Sequence, residues 1–184
     1  MSNFQPISFL LLRVSGRKND QMLFISVESL LDTAKTKKLY QNEALDIEKL
    51  IGLIPDIRIQ YVPLDSSISG SLSYSDGKWI IKVNKLHHKH RQRFTLGHEL
   101  AHYVLHKNEK DNFTDTTFFR GLSSDNLERT ANEFAAKLLM PEDKVRTMIS
   151  ERNIRNVGEL AEIFGVSAAA MLYRIKQLGY KTKE

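Results

Sequence analysis

Residues 91–106 read Arg91-Gln-Arg-Phe-Thr-Leu-Gly-His98-Glu99-Leu-Ala-His102-Tyr-Val-Leu-His106. Within this stretch two histidines lie four residues apart and a glutamate directly follows the first, which is the HExxH pattern. On a helix that turns about 100° per residue, His98 and His102 lie about 40° apart, so both imidazoles can reach one ion. Glu99 lies next to them, where it can take a proton from a water molecule at that ion. The stretch therefore predicts a helix that carries a metal site.

The remaining residues of this helix agree with that placement. The side away from the HExxH residues is an apolar arc formed by Leu96, Leu100 and Val104. His106 lies one turn beyond His102, and two interpretations stay open: it steadies a ligand or the substrate in the polar cleft, or it caps the helix end as a cation. Tyr103 is a candidate for stabilising an oxyanion, but its position near the apolar arc favours a packing role.

The composition limits the ligands that such a site can use. The 184 residues contain six histidines, all between positions 87 and 106, and no cysteine. The absence of cysteine excludes disulfides, thiolate metal sites and cysteine nucleophiles, so a metal here needs imidazole and carboxylate ligands. The sequence shows neither a basic leader before an apolar segment nor an apolar run long enough to span a membrane. We therefore expect a cytoplasmic protein with no membrane partner.

The net charge of +5 is mild, and much of it lies just before the histidine pattern. Such a run is either a solvated face or a surface that attracts an acidic partner or a nucleic acid, and the first interpretation is favoured. The basic residues concerned are Lys78, Lys82, Lys85, Lys89, Arg91 and Arg93.

Catalytic zinc takes three protein ligands and one open position, and two acids of the next predicted helix, residues 127–139, compete for the third place. On a helical wheel Glu128 lies at the edge of the apolar stripe, whereas Glu133 lies nearly opposite the stripe. An edge position can aim a carboxylate into a cleft between packed helices, so Glu128 is predicted as the third ligand. The alternative for Glu128 is a surface glutamate that the helix dipole favours in the first turn.

Two blocks of the sequence together resemble the ImmA/IrrE family of metallopeptidases. One is the stretch quoted above, and the other is Glu128-Arg-Thr-Ala-Asn-Glu-Phe-Ala-Ala-Lys-Leu-Leu-Met-Pro141. The resemblance covers roughly residues 43–178, and it implies that the glutamate opening the Glu-x-x-Ala-Asn block, here Glu128, is the third ligand. Asn132 of this block joins His106 and Tyr103 as a candidate for contacts to a ligand or the substrate. We expect one Zn²⁺ per chain, with Mn²⁺ or Fe²⁺ as alternatives, because imidazole and carboxylate ligands suit all three.

The expected fold is α+β. We predict a zincin-like metallopeptidase domain, in which a small twisted β-sheet packs on the HExxH helix and the third-ligand helix, followed by a small helical module. Residues 57–62 alternate as a half-buried strand, and residues 70–74 and 79–83 flank the turn signal Ser75-Asp76-Gly77. Residues 43–54 predict a short amphipathic helix stopped by Pro55, and residues 107–126 predict a polar loop.

Three parts of the chain are expected: an N-terminal extension at 1–40, the metallopeptidase domain at 41–140 and the helical module at 141–184. Pro141, followed by two acids, predicts a new helix start at the second boundary. Residues 157–178 resemble a helix-turn-helix with a Gly-Val-Ser turn, and Ser167 is its predicted N-cap. The second helix begins with three alanines, which cannot read base edges, although Arg174 and Lys176 could contact phosphate. The module is therefore predicted to pack or dock a partner and to bind DNA only weakly, without sequence preference.

The resemblance also implies a function. Family members cleave helix-turn-helix repressors, so the expected activity is a site-specific endopeptidase whose partner is a transcriptional repressor encoded nearby. In the expected mechanism His98, His102 and Glu128 hold the metal, and Glu99 takes a proton from water and passes it to the leaving amine. Residues 69–73 are the predicted sheet edge for an extended substrate strand. The alternative is a non-catalytic regulator, or a toxin–antitoxin component, that binds a partner protein or DNA through a metallopeptidase scaffold.

Overall fold

A computed structural model describes residues 10–12, 23–107, 112–115 and 126–181. The strands in these ranges are β1 (Leu10–Leu12), β2 (Leu23–Ile25), β3 (Tyr40–Gln41), β4 (Ala44–Leu45), β5 (Ile57–Val62), β6 (Gly70–Ser75), β7 (Lys78–Asn84) and β8 (Asn112–Asp115). The helices are α1 (Val27–Thr36), α2 (Ile47–Gly52), α3 (Lys89–Leu105), α4 (Asn126–Leu139), α5 (Glu142–Ser150), α6 (Val157–Phe164) and α7 (Ala168–Gln177). Residues 1–9 and 13–22 of the expected N-terminal extension lie outside the described ranges.

The main sheet has four strands in the order β5-β7-β6-β8. Strand β5 pairs with β7 in parallel, and the other two pairings are antiparallel. The β6–β7 hairpin closes at Asp76 and Gly77, whose φ angles of 51° and 74° are typical of the type I′ turn that a two-residue hairpin loop prefers. The predicted strands at residues 57–62, 70–74 and 79–83 and the turn between the last two are confirmed.

Helix α3 packs against β6 and β7 on one side and against α4 on another. The strands contribute fully buried side chains such as Leu72 and Ile81 to this layer. Gly97 lets the two helices approach closely, because a Cβ atom there would lie 3.3 Å from the Cβ of Ala135 and 3.4 Å from Cδ1 of Leu139. The predicted α+β class, with a small sheet against the HExxH helix and the helix that follows it, is confirmed.

The helix predicted over residues 43–54 is shorter than expected. Its first part instead forms β4, which pairs with β3 across a turn where Asn42 has a φ of 54°. Helix α2 begins only after Asp46, whose side chain accepts a hydrogen bond from the backbone N–H of Lys49 at 3.0 Å. The N-cap of Asp46, rather than the apolar period, therefore determines where the helix begins.

Strand β8 lies within the stretch that was predicted to be a loop. It pairs along β6 from Ser73 to Gly70, so residues 70–73 do not form a sheet edge and the predicted substrate edge at residues 69–73 is wrong. The polar residues around Phe113 hide the strand in the sequence, yet Phe113 itself is buried against the core. Residues 108–111 and 116–125 of the predicted loop lie outside the described ranges.

At the C-terminal end, α6 and α7 meet at Gly165, whose φ of 63° suits glycine, and Ser167 caps α7 as predicted. Arg174 is 5% exposed, and its Nε donates to the backbone oxygen of Met140 at 2.9 Å. The predicted phosphate contact of Arg174 is therefore wrong, because the guanidinium ties α7 to the end of α4. Ala168 and Ala169 are exposed, and weak DNA binding stays a prediction.

The buried apolar side chains of the described residues form one cluster, which extends from Leu30 in α1 to Ile175 in α7. Helix α1 packs on α4, and the proposed boundary after residue 40 falls within β3. The division into residues 1–40, 41–140 and 141–184 stays a prediction. Across the described ranges, the helices are too short or too polar for any of them to cross a membrane.

Candidate metal and active site

The HExxH residues lie in the most buried part of α3. His98 and Glu99 are 0% exposed and His102 is 1% exposed. This burial follows from the position of α3 between the sheet and α4, which encloses both sides of the helix. Buried ionisable side chains are costly unless partners satisfy them, so the surroundings of these three residues decide what they can do.

Helix α4 brings Glu128 to the two histidines. The Nε2 atoms of His98 and His102 are 2.9 Å apart, and they lie 3.1 Å and 3.4 Å from the carboxylate oxygens of Glu128. Ligand atoms placed tetrahedrally around a zinc ion at ordinary bond lengths would be about 3.3 Å apart. Among the described residues, these three form the one group of three or more potential ligands close enough to hold an ion. The spacing and the donor types fit a divalent metal.

The orientation of His98 supports this fit. Its Nδ1 lies 3.1 Å from Oδ1 of Asn132, an acceptor, so Nδ1 carries a proton, and in the neutral ring Nε2 directs a lone pair toward Glu128. Lone pairs that converge with a carboxylate in a buried site repel one another unless a cation lies between them. Asn132, one turn beyond Glu128 on α4, therefore contacts a metal-ligand candidate, and its role in the site stays a prediction.

Glu128 is held in its ionised form. Burial by itself raises the pKa of this carboxyl, but His102 and His98, which in their protonated forms donate hydrogen bonds to it and carry positive charge, outweigh burial and keep the pKa well below its usual range. A carboxylate that stays ionised near neutral pH is what a metal ligand requires.

Glu133 lies elsewhere. It does not belong to the group of potential ligands. Burial raises the pKa of Tyr173 in α7, and the negative charge of Glu133 adds to that rise, which places Glu133 toward the C-terminal helices. The structure therefore brings Glu128, and not Glu133, to His98 and His102.

Glu99 follows His98 on α3 and lies against β6. Both of its carboxylate oxygens are buried, and a Cβ atom on Gly70 would lie 3.1 Å from its Oε1. The same Cβ would lie 2.7 Å from the backbone oxygen of Lys82 and would overlap Thr95. Only glycine fits at position 70, and the missing side chain leaves the space that the Glu99 carboxylate uses.

The backbone of His106 caps the C-terminal end of α3, and its side chain lies in the cleft. Its ring is 5% exposed, and its Nδ1 is 3.0 Å from Nδ1 of His102. Its Nε2 is 3.2 Å from Oγ1 of Thr130 on α4. On the other side, the ring of Phe113 stacks on the ring of His102, with 4.5 Å between centroids and 19° between planes.

Tyr103 faces away from this cleft, in agreement with the packing role that the sequence favoured. Its ring meets Trp79 edge to face at 6.1 Å, and the ammonium group of Lys107 lies 4.3 Å from its centroid. Its hydroxyl is buried and has no hydrogen-bond partner among the described residues. Burial, followed by the negative charge of Asp56, raises the pKa of Tyr103 to about 12.

The structure adds three residues to the site that the sequence did not single out: Gly70, Phe113 and Thr130. Gly70 and Phe113 reach the site through the pairing of β6 with β8, which no local pattern predicts. The apolar Phe113 between polar residues is a weak strand signal. Thr130 lies within the Glu-x-x-Ala-Asn block, where the two glutamates drew attention instead.

Comparison with known proteins agrees with this geometry. A family model described as IrrE N-terminal-like domain matches residues 54–176, more than half of the chain. The chain is 28% identical over 141 residues to the radiation response metalloprotease IrrE of Deinococcus radiodurans, a match that covers 72% of this chain and 40% of IrrE. It is 26% identical over 156 residues to the metallopeptidase ImmA of Bacillus subtilis, which covers 83% of each.

The matched range contains both α3, which carries the HExxH residues, and α4, which carries Glu128 and Asn132. The family model also extends beyond residue 140 into α7. The chain therefore belongs to the ImmA/IrrE family of metallopeptidases.

Proposed function

We propose that this chain is a zinc-dependent, site-specific endopeptidase that cleaves a helix-turn-helix transcriptional repressor encoded nearby and so relieves repression in the cytoplasm. The observation that carries the proposal is the convergence of His98, His102 and Glu128 within 4.8 Å, with the buried Glu99 on the same helix. The relatives named above are called metalloproteases or metallopeptidases, which supports a protein substrate.

In the proposed site, His98, His102 and Glu128 hold the metal. A zinc ion bound by two neutral imidazoles and one carboxylate would keep a positive charge, with which it would polarise a peptide carbonyl and lower the pKa of a water molecule to near 7. All three residues are tied to α4: Glu128 belongs to this helix, His98 is hydrogen-bonded to its Asn132, and His102 is linked through His106 to its Thr130. The proposed ligands are therefore preorganised before the ion binds.

Glu99 is proposed as the general base and then the general acid. It accepts a proton from the attacking water and delivers this proton to the amine that leaves when the peptide bond breaks. Its carboxylate is buried next to Gly70, and it does not belong to the ligand group. A side chain that moves protons without holding the ion can be changed without removing the metal.

The test uses Glu99→Gln, which keeps the size of the side chain but cannot accept the proton. Zinc-loaded wild type and variant are incubated with the repressor encoded beside the gene, and the products are followed by intact mass, with metal content measured in parallel. We expect cleavage to fall by a factor on the order of 10²–10⁴ while the metal is retained, which is the usual contribution of a positioned general base.

Glu133→Gln is the matched control, because it makes the same change at an acid of α4 outside the ligand group, and it should cleave as wild type does. Loss of metal from Glu99→Gln would show that Glu99 has a structural role instead. A wild-type protein that binds the repressor without cutting it, and a variant that relieves repression equally well, would overturn the proposal in favour of a binding regulator.

A further inference from the structure

The nitrogen of His102 that points away from the ligand group belongs to a chain of hydrogen bonds. His102 Nδ1 lies 3.0 Å from His106 Nδ1, and His106 Nε2 lies 3.2 Å from Oγ1 of Thr130. The hydroxyl of Thr130 in turn donates to the backbone oxygen of Leu127 at 2.9 Å. The chain thus begins on α3 at a candidate metal ligand and ends at a carbonyl in the first turn of α4.

When both imidazoles are neutral, only one direction of proton donation satisfies every link. A hydroxyl has a single proton, and Thr130 gives this proton to Leu127, so its oxygen accepts from His106 Nε2–H. A neutral His106 that is protonated at Nε2 has a lone pair at Nδ1, which accepts from His102 Nδ1–H. The Nε2 atom of His102 then carries a lone pair and points at His98 and Glu128.

We infer that Thr130 is a positioning residue for the metal site, which acts through His106 to select the tautomer of His102 that can bind an ion. This inference rests on the proposed function, which supplies the metal, and it concerns the tautomer and the ring orientation of His102. Metal-binding histidines usually donate their second N–H to a fixed acceptor, and this contact sets ring orientation and metal affinity. His98 has such an acceptor directly in Asn132, whereas His102 reaches α4 through two further side chains.

The surroundings of His102 make this control effective. His102 and His106 are 1% and 5% exposed, so water has little access to replace a lost hydrogen bond. Phe113 stacks on the His102 ring and restricts its rotation. Without the Thr130 hydroxyl, His106 loses the acceptor that favours its Nε2–H form. His106 Nδ1–H would then face His102 and favour the form of His102 that carries its proton at Nε2, inside the metal site.

The experiment compares Thr130→Val, which keeps the shape of the side chain without its hydroxyl, with Thr130→Ser, which keeps the hydroxyl. Zinc affinity is measured by competition with a chromophoric chelator, so cleavage of a substrate is not needed. Nitrogen-15 NMR of the histidine rings reports which nitrogen of His102 and His106 carries the proton in the metal-free protein. Thr130→Ala is a second hydroxyl-free variant with no added volume, and thermal melts confirm that each variant is folded.

We expect Thr130→Val and Thr130→Ala to bind zinc about 10-fold more weakly, the lower end of the usual cost of losing such a partner, and Thr130→Ser to bind as wild type does. The wild type should show protons at His102 Nδ1 and His106 Nε2, and the hydroxyl-free variants a mixture of tautomers. Wild-type affinity and unchanged tautomers in both hydroxyl-free variants would overturn the inference alone. Wild-type protein that binds no zinc at His98, His102 and Glu128 would overturn the proposed function as well.

Discussion

The two sides of α3 are equally buried but have different partners. On one side His98, Glu99 and His102 face α4 and strand β6, and on the other Leu100 and Tyr103 face the apolar layer beside Trp79. Exposure is 1% or less for all five of these helix residues. Burial therefore does not distinguish the functional side from the packing side.

The difference lies in how the buried imidazole nitrogens and the buried tyrosine hydroxyl are hydrogen-bonded. On the functional side, Nδ1 of His98 and Nδ1 of His102 are each hydrogen-bonded to another side chain, and the Nε2 atoms converge with the Glu128 carboxylate. On the packing side, the Tyr103 hydroxyl has no hydrogen-bond partner among the described residues. Buried polar groups arranged by a neighbouring helix indicate a site, whereas an isolated one indicates a packing compromise.

The largest expected effect comes from removing the acid that completes the functional side. Glu128→Ala leaves two imidazoles as ligands, so zinc affinity should fall by more than about 100-fold, beyond the cost of losing a partner outside the ligand shell. Elemental analysis after gel filtration measures the bound metal. Glu133→Ala on the same helix should keep about one ion per chain. Loss of the metal from Glu133→Ala and its retention by Glu128→Ala would show that Glu128 does not complete the metal site on the functional side of α3.

A medium effect is expected where the functional side meets β6. Gly70→Ala would place a Cβ against Thr95, the Lys82 carbonyl oxygen and Glu99, so the free energy of unfolding should fall by about 1–3 kcal/mol, as for other overpacked sites. Urea denaturation measures the change. Gly52→Ala, at an exposed position with nothing within 4 Å of a new Cβ, should be neutral or stabilise α2 by up to about 1 kcal/mol. Equal effects of the two substitutions would show that β6 does not enclose Glu99 tightly.

The smallest effect is expected on the packing side. Burial raises the pKa of Tyr103 from 10.0 to about 12, so the contribution of this residue to stability is complete below pH 10 and is lost as the pH rises from 10 toward 12. Tyr103→Phe should remove this alkaline loss and, by removing an unsatisfied buried hydroxyl, stabilise the fold by about 1 kcal/mol near neutral pH. Thermal melts across pH 8–12 measure both. A destabilised Phe variant would mean that the hydroxyl has a partner within the fold.

Much of the site could be predicted from the sequence, because its residues obey the period of a helix. The spacing of His98 and His102 predicts a shared face, and the helical-wheel position of Glu128 distinguishes it from Glu133. The structure brings His98, His102 and Glu128 together. Their roles as ligands, and the role of Glu99 as base, remain predictions for the metal and cleavage experiments. The hairpin at Asp76 and Gly77 was equally predictable, because its turn type depends on local residues.

The remaining features depend on contacts between residues far apart in the chain. Strand β8 is defined by its pairing with β6. Its four residues contain one apolar side chain, Phe113, which is too weak a local signal to predict a strand. An arginine near the end of a helix-turn-helix is a common phosphate contact. The guanidinium of Arg174 is instead buried against Met140, because α7 packs beside α4. The link from His102 to Thr130 spans two helices, so only their packing brings its members together.

The sequence by itself determined the histidine helix, the acid that approaches it, the hairpin before it and the family, because side-chain period, capping and turn chemistry are local properties. The tertiary structure alone decided which edge of the sheet is covered, that Arg174 is buried and how His102 is oriented. These depend on the packing of α3 against α4 and β6, where a few ångströms decide whether a polar atom meets a donor, an acceptor or neither.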